Sequence, residues 1–172
     1  DRQADIVSIL TAASPFSSLN AEELASLAEF AELVDFPQGA VIMRAGESSD
    51  AFFIVRSGQV VVTRQLSSGQ NITLASFVAG DCFGELDFFS RTPRDATAEA
   101  EEDSVLLIFP ARSVPFGRLL DTRPQLFAKV LHAFLVTVAG RIRATNRLIT
   151  ENAPWVKELK RQILTDSQTG LF

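Results

Sequence analysis

Residues 83–97 read FGELDFFSRTPRDAT, and they interrupt an otherwise regular series of short apolar runs. Before this stretch the chain is punctuated by glycines at positions 39, 46, 58, 69 and 80. The runs between them are rich in β-branched and aromatic residues, and they predict strands at 41–44, 51–56, 59–65 and 72–77, with another at 105–109. Short strands at this spacing are typical of an all-β sandwich or barrel rather than of alternating strands and helices.

Helices are predicted on both sides of this β region. Two short ones are expected within residues 3–31, because Asn20 and Glu23 form a capping-box pattern ahead of an apolar face. A long helix is expected from Pro124 to about residue 150, where Asn152-Ala153-Pro154 should interrupt it before a second, charged helix over 155–164.

Apolar residues of the long helix recur at alternating spacings of four and three, as in a coiled coil. We expect them to form a homodimer interface; its members are Leu131, Leu135, Val138, Ile142 and Ile149. Packing of the same residues onto the β region alone is the alternative.

Composition limits the chemistry available to the 172 residues. One histidine, one cysteine and no tyrosine exclude a multi-histidine metal cage and a zinc finger, and any hydrolase triad would depend on His132. The same argument excludes an enzymatic jelly roll built around such a cage. We therefore expect a chain without catalytic residues, metal ligands or a cofactor, and not an enzyme.

Charge and cysteine usage bear on partners and compartment. Sixteen basic and 21 acidic residues give a net charge of −5, which disfavours nucleic acid as a partner. The single cysteine, Cys82, excludes an intramolecular disulfide and favours a reducing compartment, so a cytoplasmic location is expected. No uninterrupted apolar run approaches the ~20 residues that span a bilayer, so no membrane association is expected.

Four strings in order then suggest a family: FPQG at 36–39, RAGE at 44–47, FIVRSG at 53–58 and GDCFGEL at 80–86. With the flanking helices, residues 5–150 resemble the cyclic-nucleotide-binding domain family. The resemblance implies a mainly β fold with α elements: a β-roll, similar to a double-stranded jelly roll, with short N-terminal helices and a long C-terminal dimerisation helix. The expected organisation is helices at 1–32, the roll at 33–123, the long helix at 124–152, and a linker helix with the start of an output domain at 153–172.

Within this resemblance, residues 83–97 are similar to the family's phosphate-binding cassette. The implied ligand-binding residues are Gly84, Glu85, Leu86, Asp87, Arg94, Asp95 and Ala96. Gly84 lets the backbone approach a ligand at the start of a short helix. Arg94 would present its guanidinium to the cyclic phosphate of cAMP or cGMP, and Glu85 would accept a hydrogen bond from the ribose 2′-OH. The alternative for Glu85 and Arg94 is an ion pair that only stabilises a loop. Thr137 and Arg141 are candidate base contacts, with solvated or interface-facing positions as their alternative.

Asp87 and Asp95 depart from the family pattern, which commonly has small or neutral residues there. Each adds a negative charge near an anion, and one charge pair at 4 Å is worth about 1–4 kcal/mol. Three alternatives follow. The aspartates point to solvent and binding is intact; they pair with Arg94 and Arg91 and close the pocket; or the pocket prefers a ligand that is less anionic or carries its own cation.

The last residues, TDSQTGLF at 165–172, resemble the start of a GGDEF diguanylate cyclase domain, with Gln168 in place of the usual leucine. A polar helix end with a glycine stop is the alternative. The leading hypothesis is a sensory domain that relays cyclic-nucleotide occupancy through a dimeric helix to such an output domain. The alternatives are a nucleotide-free dimerisation or interaction module and the effector half of a transcription regulator, which would need a helix-turn-helix downstream.

Overall fold

The structure is a computed structural model that describes residues 2–169, with side chains described through residue 148 (residue 116 apart) and at Glu158 and Arg161. The chain forms two units, Asp1–Leu131 and His132–Phe172. The helices are Arg2–Ala12 (α1), Ala21–Ala28 (α2), Glu85–Ser90 (α3), Phe116–Thr122 (α4) and Pro124–Thr169 (α5), with a 3-10 turn over Ser14–Phe16.

The N-terminal helices follow from their caps and apolar residues. The side chain of Asn20 accepts a hydrogen bond from the Glu23 backbone N–H, and the Glu23 carboxylate accepts one from the Asn20 N–H. The predicted capping box is thus confirmed, and it ties down two backbone donors at the start of α2.

Eight strands lie within the described residues: Glu32–Phe36 (β1), Val41–Met43 (β2), Phe52–Ser57 (β3), Gln59–Gln65 (β4), Asn71–Val78 (β5), Cys82–Phe83 (β6), Thr97–Ala100 (β7) and Ser104–Phe109 (β8). They form two four-stranded antiparallel sheets with the orders β1-β8-β3-β6 and β2-β7-β4-β5. The predicted β-roll between N-terminal helices and a long C-terminal helix is therefore confirmed. The hairpin between β4 and β5 turns at Gly69, whose φ of 83° lies in the left-handed region that glycine tolerates.

The core of the roll is built from alternate residues of the facing strands, because successive side chains of a strand point to opposite faces. The first sheet contributes Phe36, Phe53, Val55, Phe83, Leu106 and Ile108, and the second contributes Met43, Val60, Val62, Ala96, Ala98 and Ala100.

A second aromatic cluster surrounds Phe52, which is fully buried. The Phe52 ring lies 6.3 Å from Phe16 of the 3-10 turn, 5.4 Å from Phe88 of α3 and 5.2 Å from Phe109 of β8, between ring centroids. This cluster fixes α3, the helix of the cassette, to β3 and to the N-terminal segment.

Helix α5 differs from the sequence prediction in two respects. It is continuous over Pro124–Thr169, with no break at residues 152–154. Proline fixes φ near −65°, a helical value, and removes one N–H donor, so a helix can continue through it at a cost of about 3 kcal/mol.

The second difference concerns membranes. By length and composition, α5 over Pro124–Leu148 could cross a membrane: its mean hydropathy reaches 1.3, and 28% of the window is buried. The apolar runs of the sequence did not predict such a helix, because Lys129 and His132 interrupt them. The mean hydropathy of the segment stays high despite these two residues. One such helix is weak evidence of a span, since core helices of globular proteins meet the same measure.

Candidate functional site

Gly84, the second residue of the cassette, precedes the first turn of α3 with a φ of 76°. A Cβ at this position would lie 2.8 Å from Nη1 of Arg94. Glycine is therefore required both by the left-handed backbone and by the close approach of the Arg94 side chain. The predicted short helix beginning at Gly84 is confirmed.

Arg94 is a buried charged side chain of the cassette, with a relative exposure of 4%. Its Nη1 donates to the Gly84 carbonyl oxygen at 2.7 Å, and its Nη2 donates to the carbonyl oxygen of Ala51. The guanidinium carbon lies 5.6 Å from the centroid of the Phe53 ring. Its backbone N–H donates to the Glu47 carbonyl oxygen at 2.8 Å, so both ends of the residue are held.

Burial lowers the pKa of Arg94, and the carboxylates of Asp87, Asp50 and Glu47 act in the opposite direction. A guanidinium nevertheless stays protonated in proteins. Of these three carboxylates, that of Asp87 forms an ion pair with Arg94: its Oδ2 lies 4.0 Å from Nη1. The site thus combines one buried cation with several acidic neighbours.

Other predicted site residues differ in exposure. Glu85, in the first turn of α3, is buried with 4% exposure, whereas Leu86 is 60% exposed. Ala96 belongs to the core between the sheets, so its side chain serves packing. The structure brings Gly84, Asp87 and Arg94 together. Glu85 directly follows Gly84 in the chain.

Asp95 has a different partner from the one considered in the sequence analysis. Its carboxylate pairs with Nη2 of Arg64 on β4, and the two side chains are 66% and 42% exposed. The Asp95 carboxylate is therefore paired with a cation outside the cassette. Asp87 does lie near Arg94, at the outer limit of an ion pair.

Residues predicted on α5 lie in the second unit, apart from Leu131. Thr137 is partly buried, and its hydroxyl donates to the Ala133 carbonyl oxygen at 3.0 Å along the same helix. Arg141 is exposed. Contacts of either side chain with a base stay predictions.

Four of the five seam residues lie within the described side chains. Leu135 and Ile142 are 66% and 54% exposed, Leu131 is 39% exposed, and Val138 is half-buried. The side chain of Ile149 lies outside the described residues, as do residues 170–172 of the predicted GGDEF start. The dimer interface stays a prediction.

The loop before β3 is part of the site, although no sequence pattern predicted it. Ala51 and Glu47 accept hydrogen bonds from Arg94, and Phe53 lies beside its guanidinium. The RAGE string at 44–47 lies in this loop, but no role in the site was predicted for it. The contact could not be predicted from local patterns, because Ala51 and Arg94 are 43 residues apart in the chain.

The profile of the family described as "Cyclic nucleotide-binding domain" matches residues 33–122, just over half of the chain. This chain belongs to the cyclic nucleotide-binding domain family. The match includes the roll, the whole cassette and α4, and it ends before α5.

Named relatives agree with this membership. The chain is 28% identical over 148 residues to the CRP-like cAMP-activated global transcriptional regulator of Mycobacterium tuberculosis, covering 83% of this chain and 61% of that protein. It is 30% identical over 127 residues to the cGMP-dependent protein kinase egl-4 of Caenorhabditis elegans, covering 73% of this chain and 16% of the kinase. The chain therefore spans less than two thirds of either relative.

A solved structure supports the fold independently. The N-terminal domain of a transcriptional regulator from Streptomyces coelicolor A3(2) superposes with a TM-score of 0.65 at 28% identity, covering 80% of this chain and 94% of that one.

Proposed function

We propose that this chain is a regulatory domain that binds a cyclic mononucleotide, cAMP or cGMP, in the cassette at residues 83–97. The observation that carries the proposal is the buried guanidinium of Arg94, which donates a hydrogen bond to the carbonyl oxygen of Gly84 inside the cassette and within the family match. Burying a charge costs free energy, so an arginine held this way indicates more than a surface ion pair. Relatives named for cAMP activation and cGMP dependence support the ligand class.

Arg94 would bind the cyclic phosphate. A guanidinium carries five N–H donors, and the carbonyls of Gly84 and Ala51 take two of them. Three N–H donors remain beyond these two contacts, and the proposal assigns them to a phosphate oxygen. Glu85 would accept the ribose 2′-OH. Backbone groups of Gly84, Leu86, Asp87, Asp95 and Ala96 would line the phosphate site, and Thr137 or Arg141 would contact the base.

Relay through α5 is the second part of the proposal. The exposed Leu135 and Ile142 support a homodimer formed with a second copy of this chain, because a coiled-coil spacing repeats on one face. A downstream output domain would respond to the state of this helix. The two candidate output classes are a DNA-binding domain, as expected from the CRP-like relative, and the diguanylate cyclase suggested by residues 165–172.

A second candidate function is a domain of the same fold that binds no nucleotide and serves dimerisation or protein interaction. The position of the Asp87 carboxylate, 4.0 Å from Arg94 Nη1, favours it, since this charge competes with a phosphate for the same cation.

Isothermal titration with cAMP and cGMP tests both candidates. The parent protein should bind at least one nucleotide, and Arg94→Gln should weaken binding about a hundredfold, because charge-assisted hydrogen bonds to phosphate are lost. Glu85→Gln should weaken it less. Glu99→Gln, an exposed glutamate on β7, is the matched control and should bind like the parent.

Asp87→Ala separates the two candidates. If the parent binds neither nucleotide and Asp87→Ala binds one, the pocket is blocked by its own carboxylate and the second candidate is correct. If neither protein binds while both remain folded, cyclic-nucleotide binding is refuted.

A further inference from the structure

Strand pairing places an arginine on the interior face of the roll beside the cassette. Strand β4 pairs antiparallel with β7, and Thr63 lies opposite Thr97. The next residue along β4, Arg64, therefore lies beside the end of the cassette at Asp95 and Ala96. By strand alternation Arg64 shares its face with Val60 and Val62, both members of the core between the sheets.

The guanidinium of Arg64, a side chain that is 42% exposed, forms an ion pair with the cassette. Its Nε is buried and has no hydrogen-bond partner among the residues that the structure describes, while its Nη2 pairs with the Asp95 carboxylate. The guanidinium is thus directed towards the end of the cassette. There it pairs with Asp95, one of the two aspartates that depart from the family pattern.

We propose that Arg64 is a positioning residue for nucleotide binding: it neutralises Asp95 and holds that carboxylate away from the phosphate site around Arg94. This inference rests on the proposed function. Asp95 directly follows Arg94, so an unpaired carboxylate there would repel a cyclic phosphate bound by that arginine. The pair with Arg64 removes this repulsion without adding a contact between Arg64 and the ligand.

The two acidic departures of the cassette then differ in their effect. The carboxylate of Asp95 is balanced by a cation outside the cassette, whereas that of Asp87 lies near the cassette's own Arg94. Of the two, Asp87 is the one that reduces the charge available for phosphate.

The test measures dissociation constants of cAMP and cGMP for the parent, Arg64→Gln, Arg64→Lys, Asp95→Asn and the double variant Arg64→Gln/Asp95→Asn. Arg64→Gln should bind about tenfold more weakly, because the Asp95 charge is exposed to the phosphate. Arg64→Lys should restore affinity, since the charge returns. The double variant should bind like Asp95→Asn, because Arg64 has nothing left to neutralise.

The salt dependence of binding distinguishes this electrostatic role of Arg64 from a purely structural one. The loss in Arg64→Gln should shrink between about 0.05 and 0.5 M salt, because screening weakens an exposed carboxylate's repulsion. Arg56→Gln is the matched control. Arg56 lies on β3, in the other sheet, and pairs with Asp5 of α1; its side chain is 43% exposed, close to the 42% of Arg64. Its replacement should leave affinity unchanged.

Each outcome decides the proposal. If the parent binds and Arg64→Gln binds equally well, or loses affinity in the Asp95→Asn background too, the inference is wrong while the proposed function stands. If the parent fails to bind but Asp95→Asn binds, Arg64 does not neutralise Asp95 and the inference is wrong. Absence of binding in every variant refutes the inference together with the proposed function.

Discussion

In the β-roll, β4 and β7 alternate between buried and more exposed side chains, while β3 and β8 are buried along most of their length. The buried side chains meet each other within the chain; Phe53, Val60 and Leu106 are at most 5% exposed. Along α5 beyond residue 131, in contrast, Leu135, Ile142 and Leu148 are 66%, 54% and 57% exposed. The roll exposes some apolar side chains too, including Leu74 at 43% and Val78 at 51%, but it also encloses a core of its own. Exposed apolar patches mark interaction sites when they are contiguous. In the function proposed above, the roll would form the ligand site and α5 would contact a partner.

The largest expected effect comes from the aromatic cluster that joins the cassette helix to the roll. Phe52→Ala should lower the free energy of unfolding by about 3–5 kcal/mol, because a fully buried ring is removed from between Phe16, Phe88 and Phe109. Denaturant unfolding measures this. Val136→Ala on α5, where the side chain is 56% exposed, should change stability by less than about 0.5 kcal/mol. Equal losses in the two variants would contradict the comparison.

Dimerisation through α5 should be lost when charge is placed on the seam. At tens of micromolar, light scattering should find the parent dimeric and Leu135→Glu combined with Ile142→Glu monomeric, because two like charges per helix would face each other. Val136→Glu adds charge to the same helix one residue off the seam and should stay dimeric. A monomeric parent, or dimers that persist in the double variant, would show that the exposed seam does not pair.

The smallest expected effect is on the pH dependence of stability, and it comes from the contact between α2 and the start of α5. There Glu23 accepts hydrogen bonds from Lys129 Nζ and from the Asn20 backbone N–H. These bonds lower the pKa of Glu23, that with Lys129 contributing most. A lowered folded-state pKa stabilises the fold above the ordinary value of about 4.3, and this contribution is lost as pH falls through the lowered pKa.

Glu23→Gln should therefore flatten the decline of the thermal midpoint between about pH 5 and pH 3. Glu22→Gln is the matched control, since Glu22 lies in the same first turn and lines the same cavity of about 450 Å³ beside Lys129. Parallel pH curves for Glu23→Gln and the parent would contradict the assignment.

Local sequence patterns were sufficient for much of the roll. The prediction for β4, 59–65, agrees with Gln59–Gln65, and the capping box at Asn20 is confirmed, because both depend on neighbouring residues. Strands β1, β6 and β7 were not predicted. β6 has two residues and β7 reads TAEA, too short and too small in side-chain volume to show a strand pattern.

Charge pairing in the site could not be predicted in the same way. Arg64 and Asp95 are 31 residues apart, and only the register of β4 with β7 brings them together. The carbonyl partners of Arg94 likewise belong to a distant loop and to the turn at Gly84. The continuity of α5 through Pro154 was missed because a proline's local effect is disruptive, although its φ fits a helix.

The most direct test of the central claim, that Arg94 binds a cyclic phosphate, is the phosphorus NMR resonance of cAMP and of cGMP titrated with the protein. The parent should shift or broaden this resonance for at least one nucleotide, and folded Arg94→Gln should leave it at its free position at the same concentrations. An unperturbed resonance with the parent, or an equal perturbation by Arg94→Gln, would contradict the account.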